Sequence, residues 1–307
     1  MRALVTGATG FVGRHLVARL MQEKWTVVAG STRGESLGSG VQSVRFEMCD
    51  RAALRRFVND GIDVVFHFAF SRRSRAEMAR VALEGTATLL EEAAGATRPP
   101  RILLASSGAV YGWSSGSRPV TEDDPLVPAT YYAVVKRAQE DLAASYTRQG
   151  ALHVVTVRLF NALGPGEDGT LVTGAVALQI ARGERAGRRF EVCVGNVDSY
   201  RDFIDVRDAA CAFTAAADAG APGEVFNVCS EESVQTRTVA EFLCASARAP
   251  ADLVSRCEGA RGPDVPYQVG SAVRLRARTG WTRQVTVQQS LFDLLRDLRE
   301  KVAAYAT

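Results

Sequence analysis

A glycine-rich turn near the start of the chain limits what this sequence can fold into more than any other feature. Residues 5–13 read VTGATGFVG and place three glycines at a GxxGxxG spacing between a short apolar run and a helical pattern. Without a Cβ in the way, backbone N–H groups and the positive end of a helix can approach a pyrophosphate closely. We therefore expect a dinucleotide at this turn. The residues expected to hold it are Gly7, Thr9, Gly10, Phe11, Val12 and Gly13.

Short β-branched runs alternate with longer helical patterns through the first half of the chain. The runs lie at residues 3–5, 26–29, 43–46, 63–66, 102–105 and 153–157. Helical patterns begin near Gly10, Arg51, Ser74 and Pro128, with apolar residues recurring every three or four positions. Strands that alternate with helices indicate βαβ units around a buried parallel sheet. The sequence thus predicts an α/β fold with a Rossmann-like, doubly wound parallel sheet.

The rhythm of the sequence changes at Asn161. Gly164-Pro165-Gly166 interrupts the pattern, and a helix is expected near 172–182. Residues 205–219 and 224–228 again indicate a helix and then a strand, and a last helix is expected over about 287–302. We therefore predict a dinucleotide-binding domain of residues 1–160 plus about 203–230. A smaller α/β domain would contain about 161–202 plus 231–307.

Charge and composition exclude several classes of partner. The chain has 307 residues, 47% of them hydrophobic, and a formal net charge of only +3, so we expect no nucleic acid and no anionic membrane. No apolar run approaches the roughly 20 residues that span a bilayer, and no charged leader is evident, so we expect a cytoplasmic protein. Six cysteines without a CxxC pair and three histidines without an HExxH pattern predict reduced thiols and no metal.

The end of the second strand bears on the choice of cofactor. A cofactor without a 2′-phosphate is usually held there by Asp or Glu, but here the chain reads Gly30-Ser31-Thr32-Arg33. Ser31 leaves room for a phosphate, and Arg33 offers a fork of donors to it, which favours NADP(H) over NAD(H). The alternative is that Arg33 is a solvated charge in a loop and does not contact the cofactor. Asp50, after the third strand, is placed either to reach the adenine edge or to cap the following helix.

Two side chains one helical turn apart supply candidate catalytic groups. Tyr132 and Lys136 stand at i and i+4, so they project from the same helix face. An ammonium beside a phenol favours its ionised form and prepares it for proton transfer. Ser107 ends a buried strand whose carboxyl end faces the expected cofactor crevice. Ser107 is thus expected to bind a substrate carbonyl while Tyr132 protonates it, with capping of local backbone as the alternative for the serine.

Motifs along nearly the whole chain together resemble the extended short-chain dehydrogenases/reductases that modify nucleotide sugars. The motifs are residues 6–13, 67–69, 85–86, 106–112, Tyr132 with Lys136, 158–161, 164–166, 200–206, 226–228 and 279–281. Within that group the chain is most similar to the GDP-4-keto-6-deoxymannose reductases, through 161–166, the Arg201 segment, 227–230 and 261–266. It departs from the family pattern at Phe70, Ala82 and Val135.

The resemblance carries further expectations about partners and site residues. It implies that Phe68 and Ala69 contact the cofactor, together with Tyr132 and Lys136. It also implies that Asn161, Arg201 and Arg261 contact the sugar nucleotide, in keeping with the suitability of guanidinium groups for a diphosphate. The second domain is then a nucleotide-sugar-binding domain. A homodimer is implied as well, formed by the helices near residues 80–94 and 131–146.

The residues after the strand-end serine narrow the reaction. Related 4,6-dehydratases have Asp and Glu there for elimination, and the epimerase-reductases have Cys, but Gly108 and Ala109 titrate nothing. We therefore expect NADPH-dependent reduction of the C4 keto group of a GDP- or dTDP-linked 4-keto-6-deoxyhexose. An NAD-dependent nucleotide-sugar 4-epimerase is the alternative enzyme, since it also exchanges hydride at C4. A non-catalytic NADP-binding redox sensor is the alternative of another class.

Overall fold

A computed structural model describes residues 1–113, 117–255 and 265–304. A seven-stranded parallel sheet forms its centre. Its strands are β1 (Arg2–Thr6), β2 (Thr26–Ser31), β3 (Val41–Arg45), β4 (Val64–His67), β5 (Arg101–Ser107), β6 (Val154–Leu159) and β11 (Val225–Val228). The strands lie in the order β3-β2-β1-β4-β5-β6-β11. From β1 the chain adds strands β2 and β3 on one side, and from β4 onward it adds strands on the other side, so the order reverses between β1 and β4. A doubly wound sheet binds its ligands outside the carboxyl ends of the strands at such a reversal.

Helices cover both faces of this sheet and join its strands. They are α1 (Phe11–Gln22), α2 (Arg51–Asn59), α3 (Arg75–Ala79), α4 (Gly85–Ala94), α5 (Tyr131–Arg148) and α7 (Val206–Ala219), with a π-helical turn at Arg80–Glu84 and a 3-10 turn at Gly108–Tyr111. Side chains fix several of the starts. Asp50, Ser74 and Thr130 each accept a hydrogen bond from a backbone N–H in the first turn of α2, α3 and α5.

The remaining elements pack mostly beyond the carboxyl end of the sheet. The helices are α6 (Val172–Gly183), α8 (Thr236–Ala245), α9 (Val273–Thr279) and α10 (Val287–Ala304), with a 3-10 turn at Glu184–Ala186. The strands are β7 (Asn161–Leu163), β8 (Phe190–Val194), β9 (Tyr200–Arg201), β10 (Phe203–Asp205), β12 (Val234–Gln235), β13 (Ala251–Ser255) and β14 (Tyr267–Gln268). They pair as β10-β7, β12-β9-β14 and β13-β8.

The sequence prediction of the fold class is confirmed. Each strand expected in the first half forms within a residue or two of its predicted position, and residues 225–228 return to the sheet beside β6. The short strands β7–β10 and β12–β14 were not predicted individually, because two to five residues carry little periodicity. The two domain boundaries stay a prediction.

Apolar side chains form three buried clusters. One lies on the α1 and α7 face of the sheet, around Leu16, Phe66 and Phe213. The second lies on the face of α2, α4 and α5, and the third joins α6, α8 and α10 around Ile180 and Leu294. None of the helices in the described ranges is both long and apolar enough to cross a bilayer.

A buried ion pair joins α5 to β6 beneath the carboxyl end of the sheet. Arg158 donates from Nε and Nη2 to the Glu140 carboxylate at 3.1 and 2.8 Å, and the two side chains are only 6% and 9% exposed. Ser106 donates to the same carboxylate, and Arg158 also donates to the Tyr111 hydroxyl at 2.9 Å. The hydroxyl in turn donates to Asn227 at 2.7 Å. This network fixes the end of β5 relative to α5 and β6.

The Glu140→Ala variant is expected to lose about 3–5 kcal/mol of unfolding free energy, because it leaves the guanidinium of Arg158 buried without its counter-charge. Urea denaturation at constant pH measures this loss. Asp141→Ala is the matched control, since its carboxylate is 60% exposed and pairs with Arg137 on the surface of the same helix. The control should change the free energy by less than about 1 kcal/mol. Equal losses in both variants would contradict the role of the buried pair.

Candidate functional site

The glycine turn between β1 and α1 is built by close packing. Gly7 has φ +68°, and a Cβ there would lie 2.9 Å from backbone atoms of Phe68 and Ala69. A Cβ at Gly13 would lie 2.3 Å from the Gly7 carbonyl oxygen, so the helix touches the turn directly. The N-cap, Gly10, brings no side-chain acceptor, and the first turn of α1 has no acidic residue. Its backbone donors therefore remain available to an anion such as a pyrophosphate.

Ser107 lies at the carboxyl end of β5, one strand away from the reversal of sheet order between β1 and β4. Its Oγ accepts a hydrogen bond from Ala109 N–H at 3.2 Å, so the capping alternative considered from the sequence is present. The contact uses an acceptor site of the hydroxyl and leaves its hydrogen free to donate. Gly108 follows in close contact with Phe160, since a Cβ there would lie 3.0 Å from the ring.

Lys136 is buried in the second turn of α5. Its Nζ donates to the Ala105 carbonyl at 2.8 Å and lies 4.5 Å from the centre of the Phe70 ring. Burial lowers the pKa of Lys136 to about 7; the charge of Arg72 adds to this effect, and Glu140 opposes it. The departure from the family pattern at Phe70 thus provides the surface that covers the ammonium group.

Tyr132 lies between an aromatic ring and a guanidinium group. The Phe70 ring meets it edge to face with centroids 5.2 Å apart. The Arg72 guanidinium carbon lies 5.2 Å from the Tyr132 ring centroid. Sequence reasoning overlooked Arg72, because a charged residue in a loop carries no periodic signal.

A cleft of about 620 Å³ brings most of the predicted site residues together. Those that line it are Gly7, Gly10, Phe11, Val12, Gly13, Phe68, Ser107, Tyr132, Lys136 and Asn161. Thr9 and Ala69 are not among the residues that line the cleft. The Thr9 carbonyl accepts from Arg14, and Ala69 N–H donates to the Thr6 hydroxyl. The other wall of the cleft is formed by residues around the start of α6.

The residues predicted to select the cofactor lie at the ends of β2 and β3, outside the cleft lining. The Ser31 hydroxyl accepts from Gly34 N–H at 2.9 Å and closes the turn. Arg33 is 68% exposed and pairs with Glu35 at 2.9 Å. Asp50 caps α2 by accepting from Ala53 N–H at 3.0 Å, which is the second of the two roles considered for it.

Two of the three predicted substrate contacts can be located. Asn161 lines the cleft, and its amide nitrogen donates to the Asp202 carbonyl at 2.9 Å, which leaves its side-chain oxygen available. Arg201 lies outside the lining, beside Gln268, which does line the cleft. Arg201 donates to the Tyr200 carbonyl at 2.8 Å. Arg261 lies outside the described residues.

A buried hydrogen-bond relay behind the glycine turn was not predicted. The Thr6 hydroxyl accepts from Phe68 and Ala69 N–H at 3.2 and 3.1 Å, so it donates to His67 Nδ1 at 2.8 Å. His67 Nε2 then carries a proton and donates to Thr86 at 2.9 Å. Burial, aided by the charge of Lys136, lowers the pKa of His67 to about 3 and keeps the ring neutral. Only the pairing of β1 with β4 brings Thr6 and His67 together.

Glu167 is a second cleft residue that sequence reasoning missed. It is 1% exposed and accepts from Leu171 N–H at 2.9 Å and from the Thr173 hydroxyl at 3.0 Å. It thereby caps α6, whose own N-cap residue has no side-chain acceptor. Burial raises the pKa of Glu167 to about 7. Among the described residues no group of three or more His, Cys, Asp or Glu side chains is arranged to hold a metal ion.

The low pKa of Lys136 predicts a specific dependence of stability on pH. Between about pH 7 and the ordinary lysine pKa near 10.5, the unfolded chain binds one more proton at this residue than the folded protein. The unfolding free energy should therefore rise with pH across this window by roughly a few kcal/mol more than in Lys136→Met. Urea denaturation of both proteins at several pH values measures the difference. Parallel curves would contradict a buried, easily deprotonated lysine.

Comparisons with known proteins agree with this architecture. Residues 3–229 match the model of the NAD dependent epimerase/dehydratase family. The chain is 30% identical to a GDP-6-deoxy-D-mannose reductase of Pseudomonas aeruginosa over 98% of each chain. It is 29% identical to a UDP-glucose 4-epimerase of Mycolicibacterium smegmatis over 98% of this chain and 99% of that one. The structure of RMD from Pseudomonas aeruginosa complexed with NADPH superposes with a TM-score of 0.85 at 30% identity, covering 98% of this chain and 99% of that one. The chain therefore belongs to the NAD dependent epimerase/dehydratase family, within the extended short-chain dehydrogenases/reductases.

Proposed function

We propose that this protein reduces the C4 keto group of a nucleotide-linked 4-keto-6-deoxyhexose, with GDP or dTDP as the nucleotide, using NADPH. The observation that carries the proposal is the single cleft shared by Ser107, Tyr132, Lys136 and the glycine turn. The similarity to a GDP-6-deoxy-D-mannose reductase and to the NADPH complex of RMD supports it. Such a reaction belongs to the biosynthesis of deoxysugars.

The surroundings of Ser107 support reduction over dehydration. Elimination of water across two sugar carbons requires an additional acid and base close to the reacting carbons. Gly108 and Ala109 offer neither, and a Cβ at Gly108 would lie in tight contact with the Phe160 ring, 3.0 Å away. Hydride exchange at one carbon needs only a proton donor and a group that polarises the carbonyl, which Tyr132 and Ser107 supply.

Each of the three catalytic residues has a separate task in this reaction. The Ser107 hydroxyl donates a hydrogen bond to the C4 oxygen, because a ketone oxygen only accepts and the contact with Ala109 N–H leaves the hydroxyl hydrogen free. Tyr132 gives its phenolic proton to the same oxygen as that oxygen gains negative charge. Lys136 binds a ribose hydroxyl of the cofactor and stabilises the phenolate that Tyr132 leaves behind. NADPH, when bound at the glycine turn, supplies the hydride that C4 receives.

The remaining assignments concern binding. We propose that Asn161, Arg201 and Arg261 hold the sugar nucleotide, with Asn161 using its free side-chain oxygen. We also propose a homodimer. On the face of α5 that points away from the cleft, Tyr131 and Val134 are 38% and 50% exposed and offer apolar surface to a second copy. Helices α4 and α5 of each protomer would form that interface.

The direct test is turnover with defined substrates. We expect the protein to oxidise NADPH when GDP-4-keto-6-deoxymannose or dTDP-4-keto-6-deoxyglucose is added, in stoichiometric amounts with a C4-reduced sugar nucleotide. Absorbance at the reduced-nicotinamide band and mass spectrometry of the product measure this. Interconversion of UDP-glucose and UDP-galactose without net use of cofactor would instead establish the 4-epimerase, which the Mycolicibacterium relative supports. Cofactor binding without turnover of any of these sugars would favour the sensor.

The role of the phenol can be tested with neighbouring tyrosines. Tyr132→Phe should lower kcat by about 10²–10⁴-fold and leave NADPH affinity within about threefold, because it removes only the proton donor. Tyr131→Phe is the matched control, since the Tyr131 hydroxyl donates to the Arg75 carbonyl at 3.1 Å on the outside of α5. Fluorescence titration and steady-state kinetics separate binding from turnover. Comparable activity in the two variants would contradict the assignment of Tyr132.

The preference for NADPH can be tested through the Arg33–Glu35 pair. Arg33→Gln should weaken NADPH binding roughly tenfold and leave NADH binding unchanged, because only NADPH carries the 2′-phosphate. Glu35→Gln releases the guanidinium group and should tighten NADPH binding. Fluorescence titration with both cofactors gives the ratio of affinities. An equal effect on NADPH and NADH in either variant would remove Arg33 from the phosphate site.

A further inference from the structure

The guanidinium group of Arg72 is a positive charge at the cleft that the reaction described above does not use. Arg72 follows β4 in a loop, lines the cleft, and lies with its guanidinium carbon 5.2 Å from the Tyr132 ring centroid. Within the described ranges it forms no ion pair or hydrogen bond. Its neighbour Arg73 is 79% exposed and faces Glu77 at 3.8 Å instead.

We propose that Arg72 is a positioning residue of this site: its permanent positive charge, held against the ring of Tyr132, stabilises the phenolate that forms when Tyr132 gives up its proton. The inference rests on the proposed function to the extent that Tyr132 is the group that exchanges the proton. Its physical basis is that the negative charge of a phenolate spreads into the ring, where a cation near the ring is attracted to it.

A second cation near the phenol complements Lys136, whose low pKa leaves its ammonium group only partly charged near neutral pH. With a pKa of about 7, set first by burial and then by Arg72, the Lys136 ammonium is partly deprotonated at pH 7 and above. A guanidinium group stays charged throughout that range. Arg72 therefore favours loss of the proton from Lys136 and itself provides a positive charge that does not depend on pH.

The other ionisable groups around the pair do not replace Arg72. His67, on β4, is neutral because burial lowers its pKa to about 3. Glu140, one turn after Lys136 on α5, is negative and already paired with Arg158. Arg75 is at the start of α3, and its guanidinium carbon lies 5.4 Å from the centroid of the Tyr131 ring, on the outer side of α5. Within the part of the chain described here, Arg72 is the cation placed over the Tyr132 ring, whereas Lys136 lies over the neighbouring Phe70 ring.

The experiment is an ultraviolet titration of Tyr132 in the intact protein. The chain has seven tyrosines, so each spectrum is corrected by subtracting that of the same protein carrying Tyr132→Phe. Four backgrounds are compared: the unsubstituted protein, Arg72→Gln, Arg72→Lys and the control Arg73→Gln. Thermal unfolding of each variant is recorded to confirm that the loop substitutions leave the fold intact.

We expect Arg72→Gln to move the ionisation midpoint of Tyr132 upward by about half to one pH unit, a size suited to a charge near a partly exposed group. Arg72→Lys should recover at least part of the shift, because it restores the charge. Arg73→Gln should leave the midpoint in place. An unchanged midpoint in Arg72→Gln, or an equal shift in Arg73→Gln, would overturn the proposal.

The titration separates this proposal from the proposed reaction, because it needs neither substrate nor turnover. If no 4-keto sugar is reduced, the midpoints still decide the role of Arg72. If turnover is found, the pH profile of kcat/KM for the reverse oxidation of the alcohol should shift upward in Arg72→Gln by the same amount. A residue that only holds the loop would lower the rate equally at every pH and leave the profile in place, which would also overturn the proposal.

Discussion

The burial of the Lys136 ammonium group shapes the site more than any other interaction. A charge removed from water requires partners, and Lys136 finds one acceptor in the Ala105 carbonyl and an aromatic face in Phe70. Since Ala105 belongs to β5 and Lys136 to α5, satisfying the ammonium group also fixes the helix against the strand that ends in Ser107. The relative position of Tyr132 and Ser107 therefore depends on the hydrogen bond between the buried Lys136 ammonium group and the Ala105 carbonyl.

Charged groups around the cleft fall into two classes that differ in burial. Glu140 and Arg158 are buried and paired with each other, and their hydrogen bonds to Ser106 and Tyr111 hold the strand ends in place. Arg33 and Arg72, in contrast, lie at or near the surface, where a guanidinium group can remain charged without a buried counter-ion. The buried pair Glu140–Arg158 thus supports the fold, while the exposed Arg33 and Arg72 supply charge near the cleft. Substitution of the exposed arginines should therefore leave the fold intact.

Local patterns were sufficient to predict the sheet, the glycine turn and the pair Tyr132–Lys136, because each depends on residues within one turn or one strand. The relay from Thr6 through His67 to Thr86 was not predictable in this way, since strand pairing brings those residues together across about sixty positions of sequence. Glu167 was missed for a related reason: it caps a helix from four residues away and without the usual N-cap spacing. The long-range contacts that complete a site are those that a one-dimensional pattern does not contain.

The packing of Phe160 in the core limits which residues can stand beside Ser107 at the end of β5. Its ring lies against Gly108, stacks on Tyr111 at 6.2 Å, and would be 2.6 Å from a Cβ at Gly270. An acidic residue at Gly108 would thus require the Phe160 ring to shift, and the packing of that ring against Tyr111 and Gly270 opposes the shift. Acquiring a dehydratase-like acid on this scaffold would therefore be coupled to repacking of the side chains around Phe160. The Phe160 ring therefore disfavours the substitution at Gly108 that a dehydratase on this fold would need.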